Sequence, residues 1–124
     1  AMNVEGDLRY VHQGEFAAFA DRRSESRRQN YFRAVQRHLR DNPPPEGVPV
    51  FDEAFRAQWE AQHPLGYVEH RQAWAAAGAY GGWVARNNAA IRINATLFVH
   101  GGIGPSYLGA DRDTINQSVR MALS

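Results

Sequence analysis

The chain reads Ala90-Ile91-Arg92-Ile93-Asn94-Ala95-Thr96-Leu97-Phe98-Val99-His100 across the stretch that decides its fold class. Apolar and polar side chains alternate at the start of this stretch, which is the period of a β-strand. Asn94 and Ala95 favour a turn, and the residues after them are rich in β-branched and aromatic side chains. The pattern therefore predicts a hairpin or two adjacent strands, which the glycines after His100 bring to an end.

Helical spacing dominates the rest of the chain. Apolar residues recur there every three or four positions, and three consecutive prolines at 43–45 interrupt the pattern. Residues 1–13 are expected to form an irregular entry segment that can include a short turn. We expect helices within residues 14–23, after a cap at Ser24, after a cap at Asp52, over residues 67–76 and after a cap at Asp113.

A glycine-rich segment precedes the predicted strands. Its glycines at positions 78, 81 and 82 surround Tyr80 and Trp83, which predicts a tight aromatic corner. The order of elements is then helices, two strands and a final helix, without an internal repeat. We expect an α+β fold that is mainly helical, with a two-stranded β element near residues 90–100, in a single domain over residues 1–124.

Composition narrows the possible function classes. The 124 residues carry a formal net charge of +1, so no strong field draws the chain to nucleic acid or to an acidic membrane. Cysteine is absent, which excludes disulfides, thiolate zinc sites and cysteine nucleophiles. The basic residues are all arginines and lie beside carboxylates, as on a solvated surface. No apolar run approaches the roughly 20 residues that span a bilayer.

The five histidines are the candidate metal ligands. His12 and His70 have polar neighbours and are expected at the surface, whereas His38 lies on the apolar face of a helix. His63 precedes a proline at a helix end, where its ring can bond the last carbonyl groups. His100 ends a strand that we expect to be buried, and the two glycines after it leave room for an ion or a phosphate. Such a strand-end histidine alone is compatible with a structural role or with metal binding.

A family resemblance bears on His100. The segment Phe98-Val99-His100-Gly101-Gly102-Ile103-Gly104-Pro105 resembles the strand-end motif of calcineurin-like metallophosphoesterases, in which the histidine of a His-Gly-Gly step binds one of two metals. Residues 2–11, 78–83 and 92–97 are similar, in the same order, to the bacterial Shewanella-like branch of that phosphoprotein phosphatase group. The resemblance implies that His100 binds one of two divalent metal ions of the Mn, Fe or Zn type, and that Gly101 and Gly102 shape the metal loop. It also implies an α/β sandwich of which this chain is one part.

Several family motifs are not in the sequence. Gly-Asp-x-His-Gly, Gly-Asp-x-x-Asp-Arg-Gly and Gly-Asn-His-Glu supply most of the family's metal ligands, and a further histidine lies downstream of the His-Gly-Gly step. The resemblance therefore implies an internal fragment of a phosphatase that hydrolyses phosphomonoesters, such as phosphorylated proteins or small phosphomonoesters, with a metal-activated water. Because a stable site needs about three or four protein ligands, we expect the isolated chain to bind no metal tightly and to be inactive.

The resemblance also divides the fragment into regions. Residues 14–76 are expected to form a helical cap, residues 88–105 the strands and the His-Gly-Gly loop, and residues 113–123 the C-terminal helix. Arg9 and Tyr10 could reach substrate phosphate or have a structural role.

Partners follow from the same reasoning. Strands taken out of a larger sandwich expose edges and apolar surface, so we expect a homo-oligomer. We expect no nucleic-acid or membrane partner, and a soluble protein of the bacterial cytoplasm or periplasm. The alternative functions are a non-enzymatic α+β protein-interaction module and, against the near-zero net charge, an arginine-stripe binder of nucleic acid.

Overall fold

The computed structural model describes residues 2–123. The elements run in the order α1 Met2–Glu5, α2 Gln13–Ala17, α3 Ser24–Asp41, α4 Glu53–Gln62, α5 Tyr67–Trp74, α6 Ala79–Arg86, β1 Ala90–Ile93, β2 Thr96–Val99 and α7 Arg112–Ala122. The described part of the chain is thus mainly helical with one two-stranded antiparallel β element, which confirms the predicted α+β class. None of its helices is long and apolar enough to cross a bilayer.

The chain divides into two compact units. Unit 1 comprises the described residues before Leu8 and after Gln72, and it contains the hairpin, α6 and α7. Unit 2 comprises residues 8–72 and contains α2, α3, α4 and most of α5.

The core of unit 2 is aromatic. Phe16 of α2, Phe32 of α3 and Trp59 of α4 are its buried apolar side chains, and the Phe32 and Trp59 rings lie 4.8 Å apart. The chain passes so close to α2 at Gly66 that a Cβ there would lie 1.8 Å from the Phe16 carbonyl oxygen. Gly66 also has a φ of +91°, so both the space and the backbone conformation require glycine.

The start of α3 differs from the prediction. Ser24 is the first residue of the helix and does not cap it. Its hydroxyl is almost fully buried, accepts from the Asp21 N–H at 2.8 Å and donates to the Glu69 carboxylate at 2.7 Å. The side chain is therefore engaged in a contact between distant segments, which local sequence does not reveal. In contrast, Asp52 caps α4 as predicted, since its carboxylate accepts from the Phe55 N–H at 2.8 Å.

The hairpin of unit 1 pairs Ala90 with Val99, and Ile93 with Thr96, around an Asn94 turn residue that adopts a left-handed φ of 53°. This confirms the predicted hairpin. Asn116 of α7 joins the helix to the strand: its side-chain amide accepts from the Ala90 N–H at 2.8 Å and donates to the Ala90 carbonyl at 2.9 Å. The amide thereby bonds both backbone polar groups of one edge residue, as a neighbouring strand would.

Two further predictions in unit 1 are wrong. Asp111, and not Asp113, caps α7, because Asp111 is the residue with extended backbone and its carboxylate accepts from the Thr114 N–H at 2.7 Å. The predicted aromatic corner is helix α6. Gly81 lies inside that helix, where a Cβ would be 2.1 Å from the Ala75 carbonyl oxygen, so close approach explains this glycine better than a turn does.

The four-residue helix α1 is one helical turn inside the predicted irregular entry segment. Boundaries differ at two places. Helix α2 ends at Ala17, well before the predicted limit at residue 23, and α5 ends at Trp74.

Candidate functional site

His100 follows the last residue of β2 and is exposed at the end of the hairpin. The expectation that it ends a buried strand is wrong. Residues 96–98 of β2 are exposed and only Val99 is half-buried. The physical reason is that the hairpin has two strands, and helix α7 reaches it at Ala90, beside Val99, without covering the far side.

The two glycines after His100 lie in open space. Gly102 has a φ of +93°, a conformation that favours glycine, and a Cβ built on either Gly101 or Gly102 would meet no atom within 4 Å apart from its chain neighbours. The backbone can therefore turn at once after the imidazole, as the sequence predicted. This leaves the ring accessible from solvent.

A pocket of about 210 Å³ adjoins the His-Gly-Gly step. Besides residues 100–104, its walls are mostly apolar side chains from β2, α7 and the loop between them: Val99, Tyr107, Ile115 and Val119. His100 is the side chain in this wall that could bind a transition metal. Among the described residues there is no group of three or more His, Cys, Asp or Glu side chains placed to hold a metal ion.

A second pocket of about 390 Å³ shares Ile103, Tyr107 and Ile115 with the first. Arg92 and Leu97, which are paired in the hairpin register, lie in its wall. Sequence reasoning missed this pocket. The available signal was the alternation of the strands, which places both residues on the face of the hairpin that also carries Ala90 and Val99.

Two arginines border the second pocket, and both are already engaged. Arg92 donates to the Asn94 carbonyl at 2.8 Å, and Arg112 forms an ion pair with Asp113 at 3.1 Å. The pocket therefore combines apolar walls with a rim whose charges are largely satisfied within the chain.

Arg9 and Tyr10, the predicted substrate-proximal residues, belong to unit 2. The Arg9 guanidinium lies over the Tyr10 ring at 6.0 Å, and Tyr10 is 83% exposed. The structure thus brings Arg9 and Tyr10 together with each other. His100, Gly101 and Gly102 form a separate group in unit 1.

The other histidines have structural contacts. His12 is exposed as predicted and caps α2, since its Nδ1 accepts from the Gly14 N–H at 3.0 Å. His63 bonds the Trp59 carbonyl through Nδ1 at 2.7 Å, which confirms the predicted role at a helix end. His38 was expected on the apolar face of its helix and is instead exposed, with its ring 3.4 Å from the Asn42 amide. His70 was expected at the surface and is instead 2% exposed, because its ring fits edge-on against two phenylalanines of unit 2.

The arginines of α3 fall into two groups. Arg27 pairs with Asp21 and Glu69, and Arg28 pairs with Glu25 and Glu60. The later arginines, at positions 33, 37 and 40, are exposed, as on the solvated face that the sequence indicates.

No protein-family profile, curated protein or solved structure matches this chain.

Proposed function

We propose that this chain forms the His-Gly-Gly strand end of a calcineurin-like, dinuclear-metal phosphoesterase that hydrolyses phosphomonoesters, with phosphoproteins as the leading substrate class. The observation that carries the proposal is the geometry at His100: an exposed imidazole at a strand end, followed by two glycines with open space beside them. The resemblance of residues 98–105 to the family's strand-end motif gives that geometry its chemical meaning.

His100 would hold one divalent ion through a ring nitrogen, and the space beside Gly101 and Gly102 leaves room for that ion and a phosphoryl group. The two metal ions in such enzymes neutralise negative charge on the phosphoryl group and activate a water molecule. A lone imidazole binds divalent ions weakly, since a stable site needs about three or four protein ligands. We therefore propose that the remaining ligands belong to a longer parent protein and that the isolated chain has no phosphatase activity.

The test compares the isolated chain with the parent protein. The pure chain with added Mn²⁺ should not hydrolyse p-nitrophenyl phosphate, while the full reading frame should do so and lose activity with His100→Ala. His38→Ala is a matched control, because His38 is also exposed but lies on α3, away from any glycine pair. Activity in the parent that survives His100→Ala, or a parent without the aspartate and histidine motifs, would contradict the proposal.

A specific observation favours a second function, a non-enzymatic protein-interaction module. Ile91, Ile93 and Phe98 are 40%, 55% and 49% exposed, and strand alternation together with the register places them on one face of the hairpin. A contiguous apolar face of this kind is common at protein interfaces. On this proposal the chain associates with further copies of itself through the outer face of the hairpin.

Light scattering over a range of concentrations tests this second function. Self-association is expected for the natural chain, and Phe98→Asp should abolish it while leaving the helix content unchanged. Leu108→Asp is a suitable control because Leu108 is 77% exposed but lies outside the hairpin. A monomer at every concentration, or association that Phe98→Asp does not change, would rule out this face.

A further inference from the structure

Two histidines of unit 2 contact its aromatic core: His70 is buried and His63 is half-buried. His70 is 2% exposed, and its ring meets Phe16 and Phe19 edge-on at centroid distances of 5.1 and 5.0 Å. His63 is stacked on Trp59, with ring centroids 4.2 Å apart and planes inclined by 15°. Histidine is the side chain that ordinarily gains a proton between pH 5 and 8, so its presence in an apolar core makes that core responsive to acid.

The surroundings of His70 do not suit a cation. Phe16 of α2 and Phe19, just beyond the end of α2, meet its ring edge-on. Burial of this kind disfavours the charged form of a titratable group. Two charged residues also act on it. Burial lowers the pKa of His70 most strongly, Arg71 on the same helix lowers it further, and Glu15 of α2 acts in the opposite direction. The net direction is downward, so the folded unit favours the neutral ring.

His63 is half-buried and contacts a different part of the core. Besides Trp59, its ring meets Tyr67 at 4.6 Å and Tyr31 of α3 at 5.7 Å. The titratable groups that face it from these elements are phenols, which do not ionise in mild acid. Burial lowers the pKa of His63, and the hydrogen bond to the Trp59 carbonyl opposes this only in part.

We propose that unit 2 is an acid-sensitive element, in which protonation of His63 and His70 opens the aromatic core as the pH falls below about 6.5. The inference is independent of the proposed function, since neither histidine belongs to the His-Gly-Gly step. Protons drive the opening because the open unit binds them more readily than the closed one. The proposed acid sensitivity is confined to unit 2, because the one histidine of unit 1, His100, is exposed.

Proton linkage sets the direction and the size of the pH effect on the opening equilibrium of unit 2. Above the ordinary histidine pKa of about 6.5, both states are neutral and the opening equilibrium does not depend on these rings. Below it, the open state gains a proton at each histidine before the closed state does. The equilibrium constant for opening then rises by at most about tenfold per pH unit for each histidine, until the lowered pKa of the closed state is reached.

Hydrogen exchange of the complete chain, followed by mass spectrometry at several pH values, measures this directly. After correction for the pH dependence of unstructured peptides, opening of α4 and α5 should increase between about pH 7 and about pH 5. The variant pair His70→Phe and His63→Asn should flatten this increase. Phenylalanine keeps an aromatic ring between Phe16 and Phe19, and asparagine keeps a donor for the Trp59 carbonyl.

A second measurement does not require the variants to fold. Trp74→Phe with Trp83→Phe leaves Trp59 as the single tryptophan, and its stacking on His63 makes its fluorescence sensitive to charge on the imidazole. Emission should change with an apparent pKa below the ordinary histidine value, together with the increase in exchange. Ring titrations at ordinary values, or opening that is independent of pH in the natural chain, would overturn the proposal. Acid opening that persists in the His63→Asn, His70→Phe variant would also overturn it.

Discussion

The two units differ in how they bury apolar surface. Unit 2 encloses Phe16, Phe32 and Trp59, and rings from four helices contact one another around them. Among the described residues of unit 1 the buried apolar side chains are Ala90 and Leu123, while the outer face of its hairpin is exposed. Burial of a large aromatic side chain contributes far more than burial of alanine, because the stabilisation scales with apolar area. Unit 2 therefore has the core of an independent structure, whereas unit 1 presents surfaces that suit contact with other proteins.

The largest expected effect is Gly66→Ala in unit 2. The added Cβ would lie 1.8 Å from the Phe16 carbonyl oxygen, so α2 must move, and the φ of +91° is strained for alanine. We expect a loss of roughly 3 kcal/mol or more in the free energy of unfolding. Urea denaturation, followed by a spectroscopic signal from unit 2, measures this loss.

Gly47→Ala is the matched control for that change. Gly47 has a similar φ of +94°, but a Cβ added there would meet no atom within 4 Å. The substitution should therefore cost only about 1 kcal/mol, the share due to backbone conformation. Equal effects for the two variants would show that the close contact with Phe16 is not important.

The next effect, in unit 1, concerns Asn116. Replacement by alanine leaves the N–H and the carbonyl of buried Ala90 without their side-chain partners. Each unsatisfied buried group costs about 1–3 kcal/mol, so Asn116→Ala should strongly weaken the attachment of α7 to the hairpin. Hydrogen exchange at the Ala90 amide measures this. Ser118→Ala is the control, since its hydroxyl bonds only the Thr114 carbonyl within α7 and is exposed; protection lost equally in both variants would argue against the role of Asn116.

The third effect depends on pH. Burial alone would raise the pKa of Glu69, but hydrogen bonds from Ser24 and Arg27 outweigh it and the net shift is downward. The carboxylate therefore stabilises unit 2 above its ordinary pKa of about 4.5, and that stability is lost as the pH falls through the lowered value in the folded state. Glu69→Gln should reduce the free energy of unfolding at neutral pH by about 1.5–3 kcal/mol, and less in strong acid. An effect that does not change with pH would show that the charge is irrelevant.

The sequence was informative where structure is local. The hairpin and the Asp52 cap follow from residues that are neighbours in the chain, and so does the bond from His63 to the Trp59 carbonyl four residues earlier. Two of the wrong predictions concern residues whose contacts come from distant segments. Ser24 has the composition of a cap, yet Glu69 takes its hydroxyl, and His70 has polar neighbours in sequence, yet α2 covers it.

The candidate site shows the same division. The glycine-permitted turn after His100 could be predicted from three consecutive residues. The exposure of β2 could not, since it depends on which elements pack against the hairpin. The pocket at Arg92 and Leu97 was predictable only in part: strand alternation places both residues on one face, but α7 and the loop at 103–110 form its other walls.

The smallest expected effect on stability is that of His100→Ala, and its smallness is informative. His100 is exposed and follows the last residue of the hairpin, and surface changes away from packed groups usually alter stability by less than about 0.5 kcal/mol. A structural histidine at this position would instead destabilise unit 1 when removed. Thermal unfolding of His100→Ala and of the exposed control His38→Ala should therefore give the same transition as the natural chain. A marked loss of stability for His100→Ala alone would show that the ring holds the loop in place. It would then argue against the proposal that His100 is a metal ligand.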